Sequence, residues 1–538
     1  MDAERLPEQR VACQEGAQVV PPRPNSGEST LGAARTVAGL TLASRLLGLL
    51  RELALANFFG TNTIVSAFRL AFMVPNLARR LFGEGALSAA LIPVLTETLE
   101  EQGRKSSRRL VGALTIRVAA ILIGIVVLAE IILGVVRLFA SDPVLDLSAV
   151  LLPYMPLICL VALNCGVLHV RRRFALPAAL PILLNVCIVT ALYAGHLVWR
   201  PGQNYLIYFA CGGVIVSVIL QWLISIVALQ REDFVPLLRG PVPREPLRRV
   251  SRMMGGAAIG LSAVQLNSLF DYLIAYGFVV VDGERVGPAV LGAAHFLYQL
   301  PLGVFGIAIA TAIFPSLSLR ATQQDRQGFL AELGLGLRMS MLIAFPSLVG
   351  LLFIAYPLVE ALFEHGEFTS ESTVRVAGTL QFYALGMAAY FANHVLIRAY
   401  YAHQDSRTPA RITVVVAVIN LVLNLILVQF MEERGLALAT AVCANIQSFL
   451  LWKSLPVPGA GGSVVRPLLG LIRPALATGV MALALTALSL IPFLRNILLS
   501  AGWMATVLKL GTGVISFWVA ARVFCPAELR MFLGRGSR

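Results

Sequence analysis

Apolar stretches long enough to cross a bilayer recur along most of this chain, and they constrain its fold more than any other feature. A helix rises about 1.5 Å per residue, so about 20 apolar residues cross the hydrocarbon core. Within that core every backbone N–H and C=O must be satisfied inside the structure, which leaves helices or closed barrels. The stretches fall at 36–58, 64–97, 111–138, 147–169, 176–199, 205–229, 254–279, 289–317, 337–363, 375–400, 410–430, 435–453, 468–493 and 501–523. They are continuous runs, so the expected fold is an all-α polytopic membrane protein with about 14 transmembrane helices. The 538 residues are 57% hydrophobic and only 13% charged, which excludes an ordinary soluble enzyme.

The basic residues sort by loop. Arg104, Lys105, Arg108 and Arg109 follow span 2, Arg171, Arg172 and Arg173 follow span 4, and Arg231, Arg239, Arg244, Arg248, Arg249 and Arg252 surround the loop after span 6. Arg320, Arg326, Arg407, Arg411 and Arg466 continue the alternation, while the loop after span 9 is acidic, with Glu364, Glu367 and Glu371. Such asymmetry places both termini in the cytoplasm and accounts for the net charge of +14 without a nucleic-acid partner. Residues 1–34 read as a disordered cytoplasmic tail, since Pro, Gly, Glu and Arg mix there without periodicity. The seven cysteines show no metal spacing, and no phosphate-binding loop or nucleophile elbow occurs, so no catalytic residues are expected.

Charge set into the first two spans points to a site. Arg45, Arg51, Glu52, Arg69, Arg79, Arg80 and Glu84 lie in otherwise apolar sequence. A charge at mid-bilayer costs about 2.5–3.5 kcal/mol even on the most lenient scale, so it ordinarily faces a wet cavity or a partner. Arg45 and Glu52 share one helical face, with Arg51 at its flank. Pro75 is expected to break the second helix before Arg79, and a Gly-Glu-Gly sequence follows at 83–85. Broken helices in membranes line cavities, so these residues imply a cationic chamber inside a bundle; arginines snorkelling to the interface are the alternative.

A repeat organises the rest. Residues 52–59 (ELALANFF) align with 271–278 (DYLIAYGF), and each copy precedes a helix with a proline in mid-span, Pro75 and Pro301. Two lobes are therefore expected, 35–230 and 254–454, joined by a basic linker at 231–253 and followed by two further spans within 455–538. Two such lobes rocking about a central site are a common build for alternating access.

Longer motifs carry a resemblance. SRLLGLLRE (44–52), VPNLARRLFGEGALSAALIPVLTE (74–97), RRRFALPAALPILLNV (171–186), YQLPLGVFGIAIATAIFPSLS (298–318) and AYYAHQDSRTPARI (399–412) resemble the MurJ/MviN family of lipid II flippases, within the multidrug/oligosaccharidyl-lipid/polysaccharide exporter superfamily. The resemblance implies a multi-pass protein of the bacterial inner membrane. Acting as a monomer, it would move the lipid-linked peptidoglycan precursor to the outer leaflet, with membrane lipids as its other partners. It matches Arg45, Arg51 and Arg79 to arginines about that substrate and Glu84 to an acid beside them. Arg80 matches too, with pairing to Glu84 at i,i+4 as the alternative. Glu52 joins them from the shared helical face, and Arg69 because it lies one turn before Met73, where the family carries a basic residue. Arginine suits a pyrophosphate because it binds bidentately and never loses its charge.

The resemblance also implies a sodium ion, the only cofactor expected, at Asp271, Asn420, Asn424, Thr440 and the Leu436 carbonyl. Oxygen donors with a single negative charge suit a monovalent cation, although Asn420 and Asn424 would equally serve as hydrogen bonds between helices. Other positions depart from the family: Ser66 replaces an acid, His295-Phe296 an acid–arginine pair, and Gln299 another acid. These departures leave open a second reading, an exporter of another polyprenyl-linked glycan or amphipathic solute.

Overall fold

The computed structural model describes residues 27–80, 87–455, 470–490 and 502–532. Helices α1 (Gly27–Phe59), α2 (Thr63–Ala78), α3 (Leu87–Glu101), α4 (Gly103–Arg137), α5 (Pro143–Leu151), α6 (Tyr154–Val170), α7 (Ala175–Trp199) and α8 (Gln203–Arg231) form the first lobe. The second contains α9 (Arg244–Phe278), α10 (Gly287–Pro301), α11 (Ile307–Thr322), α12 (Arg326–Phe363), α13 (Ser370–Ala384), α14 (Met387–Ala402) and α15 (Arg407–Lys453). Then come α16 (Ile472–Leu490), α17 (Gly502–Phe524) and the short α18 (Pro526–Phe532). Two-residue strands β1 (Val280–Val281) and β2 (Glu284–Arg285) pair antiparallel between α9 and α10.

Among the described residues nine helices are long and apolar enough to cross a membrane, or ten if α13 and α14, bent by 44°, count as one span. The expected count of 14 is not reached on that measure, for reasons visible in the helices. Apolar α2 is only 16 residues long, α1 carries the charges of the chamber and α9 carries Asp271. Helix α15 counts once, yet it is two helices meeting at a kink at Glu432 (φ 52°, ψ −133°).

Two local expectations are corrected. Pro75 does not end its helix: α2 runs through it to Ala78, and a π turn follows at Arg79 and Arg80. In the second copy α10 ends at Pro301 and a π segment, Leu302–Gly306, leads into α11. A proline withholds an N–H and crowds the preceding turn, so in both copies the chain widens just beyond it, as helices often do at functional sites. Helix α1 also begins at Gly27, eight residues before the expected edge of the tail, since no proline follows Pro24 to stop it. Residues 1–26 and the loop containing Arg466 lie outside the described residues.

Apolar side chains are buried in separate sets. One, from α1, α2 and α4–α8, includes Phe59, Leu122, Tyr154 and Val214; a second, from α9, α10 and α12–α15, includes Val290, Phe363, Leu380 and Phe391. Toward the end with the basic loops, Leu91, Leu110 and Phe234 make a third, and Leu317, Phe329 and Tyr400 a fourth. Outward-facing residues are also apolar: Ile121, Leu128 and Ile131 of α4 are each more than half exposed, as the lipid-facing side of a membrane helix should be.

The expected linker is held to the first lobe. Arg108 Nε donates to the Val235 carbonyl at 2.7 Å, and Leu237 N donates back to the Arg108 carbonyl at 3.0 Å. Arg173 and Arg171 bind Glu232 at 2.7 and 3.5 Å, and the Arg173 hydrogen bond above all holds that carboxyl below the usual carboxylate range. The first turns of α9 bury Leu247 and Val250 beside α3, where Arg249 meets Glu97 at 2.7 Å.

Candidate functional site

Between the lobes lies a cavity of about 850 Å³. Arg45, Arg51 and Glu52 reach it from α1, Arg69 from α2, and Arg79 and Arg80 from the π turn. Asp271 and Tyr272 face it from α9, and His295, Phe296 and Gln299 from α10. Six of the seven residues singled out for the substrate therefore converge on one chamber, and the seventh, Glu84, lies outside the described residues.

Glu52 is its electrostatic centre. Its side chain is 5% exposed and accepts from two guanidiniums, Arg51 Nη2 at 2.7 Å and Arg69 Nη2 at 2.5 Å. Arg51 also donates through Nη1 to Asn185 Oδ1 at 3.1 Å, and Asn185 Nδ2 donates to the Ser44 carbonyl at 3.1 Å. Asn185, on α7, thus fixes the arginine from behind; the sequence placed it in a matching motif but gave no sign of this role. Arg79 Nε donates to Asn76 Oδ1 at 2.9 Å, one turn back on α2. Arg80, which the sequence offered to Glu84, donates to Gln265 Oε1 of α9 at 3.2 Å. Arg45 has no hydrogen-bond or ion-pair partner among the described residues.

Away from the basic loops the lobes are clasped together. Asp142, the N-cap of α5, accepts from the Tyr276 hydroxyl at 2.7 Å and pairs with Arg285 at 3.4 Å, while that guanidinium lies 4.7 Å from the centre of the Tyr276 ring. Thr63 N donates to Glu284 Oε2 at 2.7 Å and Arg285 N to Thr63 Oγ1 at 2.8 Å, which pins the β1–β2 turn to the start of α2. Ser66 accepts from Ala289 N at 3.2 Å. The Thr61 and Ser372 hydroxyls are 2.7 Å apart, and Glu367 N donates to the Asn57 carbonyl at 3.0 Å.

The sequence profile of lipid II flippase MurJ matches residues 55–510. The chain belongs to the MurJ family of lipid II flippases. Lipid II flippase MurJ of Burkholderia cenocepacia is 33% identical over 440 residues, covering 78% of this chain and 82% of that protein. A structure described as lipid II flippase MurJ in an inward closed conformation superposes with a TM-score of 0.76 at 23% identity, covering 92% of this chain and 99% of that one. An inward-facing multidrug resistance MATE family transporter of the MOP superfamily superposes at 0.63 and 14% identity, covering 82% and 98%. At those identities the two structures establish the shared fold.

Within this MurJ-family fold the five oxygen-bearing residues of the second lobe form two groups. Asn424 Nδ2 donates to Asp271 Oδ1 at 2.5 Å and to Asn420 Oδ1 at 3.0 Å. Beyond the Glu432 kink, Thr440 Oγ1 donates to the Leu436 carbonyl at 3.0 Å. Asn424 Oδ1 is buried without a partner. An orphaned buried oxygen beside a carboxylate is the arrangement a cation would complete. Among the described residues no cluster of His, Cys, Asp and Glu suits a transition metal. Of the family departures, Ser66 serves the clasp, His295 lies edge-on to Tyr298 at 5.1 Å, and the Phe296 ring rests 3.4 Å from where a Cβ on Gly48 would be.

Proposed function

We propose that this protein moves lipid II, the lipid-linked peptidoglycan precursor, from the cytoplasmic to the outer leaflet by alternating access of the cavity between its lobes. Arg45 carries the proposal: a guanidinium facing the chamber with no anionic partner among the described residues. The described charged lining comprises Arg45, Arg51, Arg69, Arg79 and Arg80 against Glu52 and Asp271, which leaves three positive charges in excess. A pyrophosphate ester answers that excess, and planar guanidiniums offer it bidentate hydrogen bonds with permanent charge. The lipid tail stays in hydrocarbon while the charged head crosses in a polar chamber, so no covalent step is needed.

The basic loops and both termini face the cytoplasm in this account, because the arginine-rich loops all lie at one end. The Asp142–Tyr276–Arg285 clasp would then close the outer end of the cavity. Asp271, Asn420 and Asn424, with Thr440 and the Leu436 carbonyl, would hold a sodium ion. That ion would supply a positive charge countering Asp271, which also faces the substrate chamber.

Depletion of the protein in its own cell, followed by chromatography of lipid-linked intermediates, tests the assignment. Lipid II should accumulate on the cytoplasmic side. Accumulation of a different polyprenyl-linked glycan, with lipid II turnover unchanged, would refute it in favour of another exporter of the superfamily.

A further inference from the structure

We infer that Gly292 and Gly303 are positioning residues, side-chain-free seats on the second lobe for two cavity arginines that are rooted in the first. The inference deepens the proposed function, since it says how the phosphate-binding charges are held.

Gly303 lies in the π segment just after Pro301. A Cβ there would stand 2.5 Å from Arg45 Cζ and meet both terminal nitrogens, so the forked end of the guanidinium lies in the space that the missing side chain leaves. At Gly292 a Cβ would stand 2.8 Å from Arg69 Cζ and meet one terminal nitrogen and Cδ, so the side of that guanidinium lies against the glycine. The two glycines are eleven residues apart, close to three helical turns, and so fall on one face of α10 and its continuation. Phe296 lies between them on that face and packs against Gly48, about one turn from Arg45 on α1. This is the helix on which the resembling family carries an arginine and this chain carries phenylalanine. Here the positive charge on the second lobe's wall is supplied by side chains from the first.

Arg69 and Arg45 are held differently. Arg69 is tied to Glu52 at 2.5 Å, and its Nε is buried with no partner, so it has no freedom to leave its seat. Arg45 lacks an ion-pair partner among the described residues and is placed by shape alone, so no carboxylate competes with an incoming phosphate for it. Because each seat and its arginine belong to different lobes, any rearrangement that parts α1 from α10 separates them. A ligand gripped through a seated Arg45 then binds the two states unequally, as a transporter requires.

The test is a double-mutant cycle. A methyl at Gly303 meets only the far end of a flexible side chain, so Gly303→Ala should fold while its arginine is displaced. Lysine, a slender point charge, needs no room for a fork. Purified wild type, Gly303→Ala, Arg45→Lys and the double variant are compared by melting temperature in detergent without ligand, and by affinity for inorganic pyrophosphate. Gly124→Ala, with open space around it, serves as control. Gly303→Ala should weaken pyrophosphate binding at least tenfold when Arg45 is present and less than twofold in the Arg45→Lys background, and the melting temperatures should be non-additive. Additive effects on both measurements, or unaltered binding in Gly303→Ala, would overturn the seat. The ligand-free melting cycle stands whether or not the protein flips lipid II, so failure of the flippase assignment would not be mistaken for failure of the seat.

Discussion

Replacing Glu52 with glutamine removes the carboxylate that joins the Arg51 and Arg69 guanidiniums, and the structure sets the size of the effect. Glu52 and Arg69 have side chains 5% and 13% exposed, so neither recovers much hydration once the pair is broken. Glutamine accepts from one arginine but turns its NH2 toward the other, so one guanidinium is left facing a donor. Breaking a buried ion pair by removing one partner costs about 3–5 kcal/mol. Arg51 is 21% exposed and keeps its bond to Asn185, while Arg69 has a buried Nε already without a partner. The loss therefore falls on Arg69, and the low end, about 3 kcal/mol, is expected. Removing both charges is a different matter, because a buried pair replaced by apolar groups is often neutral or stabilising. Glu52→Gln/Arg69→Met should thus recover most of the stability lost in Glu52→Gln. An unfolding titration in mixed micelles measures both. A single variant within about 0.5 kcal/mol of wild type, or a double variant less stable than the single, would refute the view that Glu52 neutralises a buried Arg69.

Cysteines introduced as Thr61→Cys and Ser372→Cys should cross-link readily, since the native hydroxyls are 2.7 Å apart; oxidation should stop transport and reductant restore it, and transport that persists with the cross-link formed would show that this end need not open. Asn424→Ala removes both the bond to Asp271 and the unpartnered oxygen, so any protection of the purified protein by sodium against heat should disappear; equal protection in wild type and variant would place the ion elsewhere.

The chamber was legible in the sequence because arginine in hydrocarbon is costly and carries its explanation with it: Arg45, Arg51, Arg69, Arg79 and Arg80 all line one cavity. Their partners were less legible. Helical spacing put Glu52 on the face of Arg45, yet Glu52 binds its neighbour Arg51 and Arg69 from the next helix, since a short turn at 60–62 brings the two residues to similar depth. Asn185, Gly292 and Gly303 act across lobe or helix boundaries, and periodicity within one helix says nothing about what the facing helix presents. The clasp was hidden for the same reason: Asp142 caps α5 and Arg285 sits in the two-residue strand β2, and only the folded chain brings them together. Pro75 misled because proline weakens a helix without always ending it, and the widening came at Arg79 and Arg80.

The central claim is that the arginines of this cavity carry a pyrophosphate-linked lipid across the membrane. Purified protein reconstituted into vesicles with fluorescent lipid II in one leaflet tests it most directly, with Arg45→Ala, Arg51→Ala and Arg79→Ala reconstituted at equal density. Wild type should transfer the lipid to the opposite leaflet, and each variant should reduce the rate to that of protein-free vesicles. Transfer by all three variants at the wild-type rate, or none by a folded wild type, would contradict it.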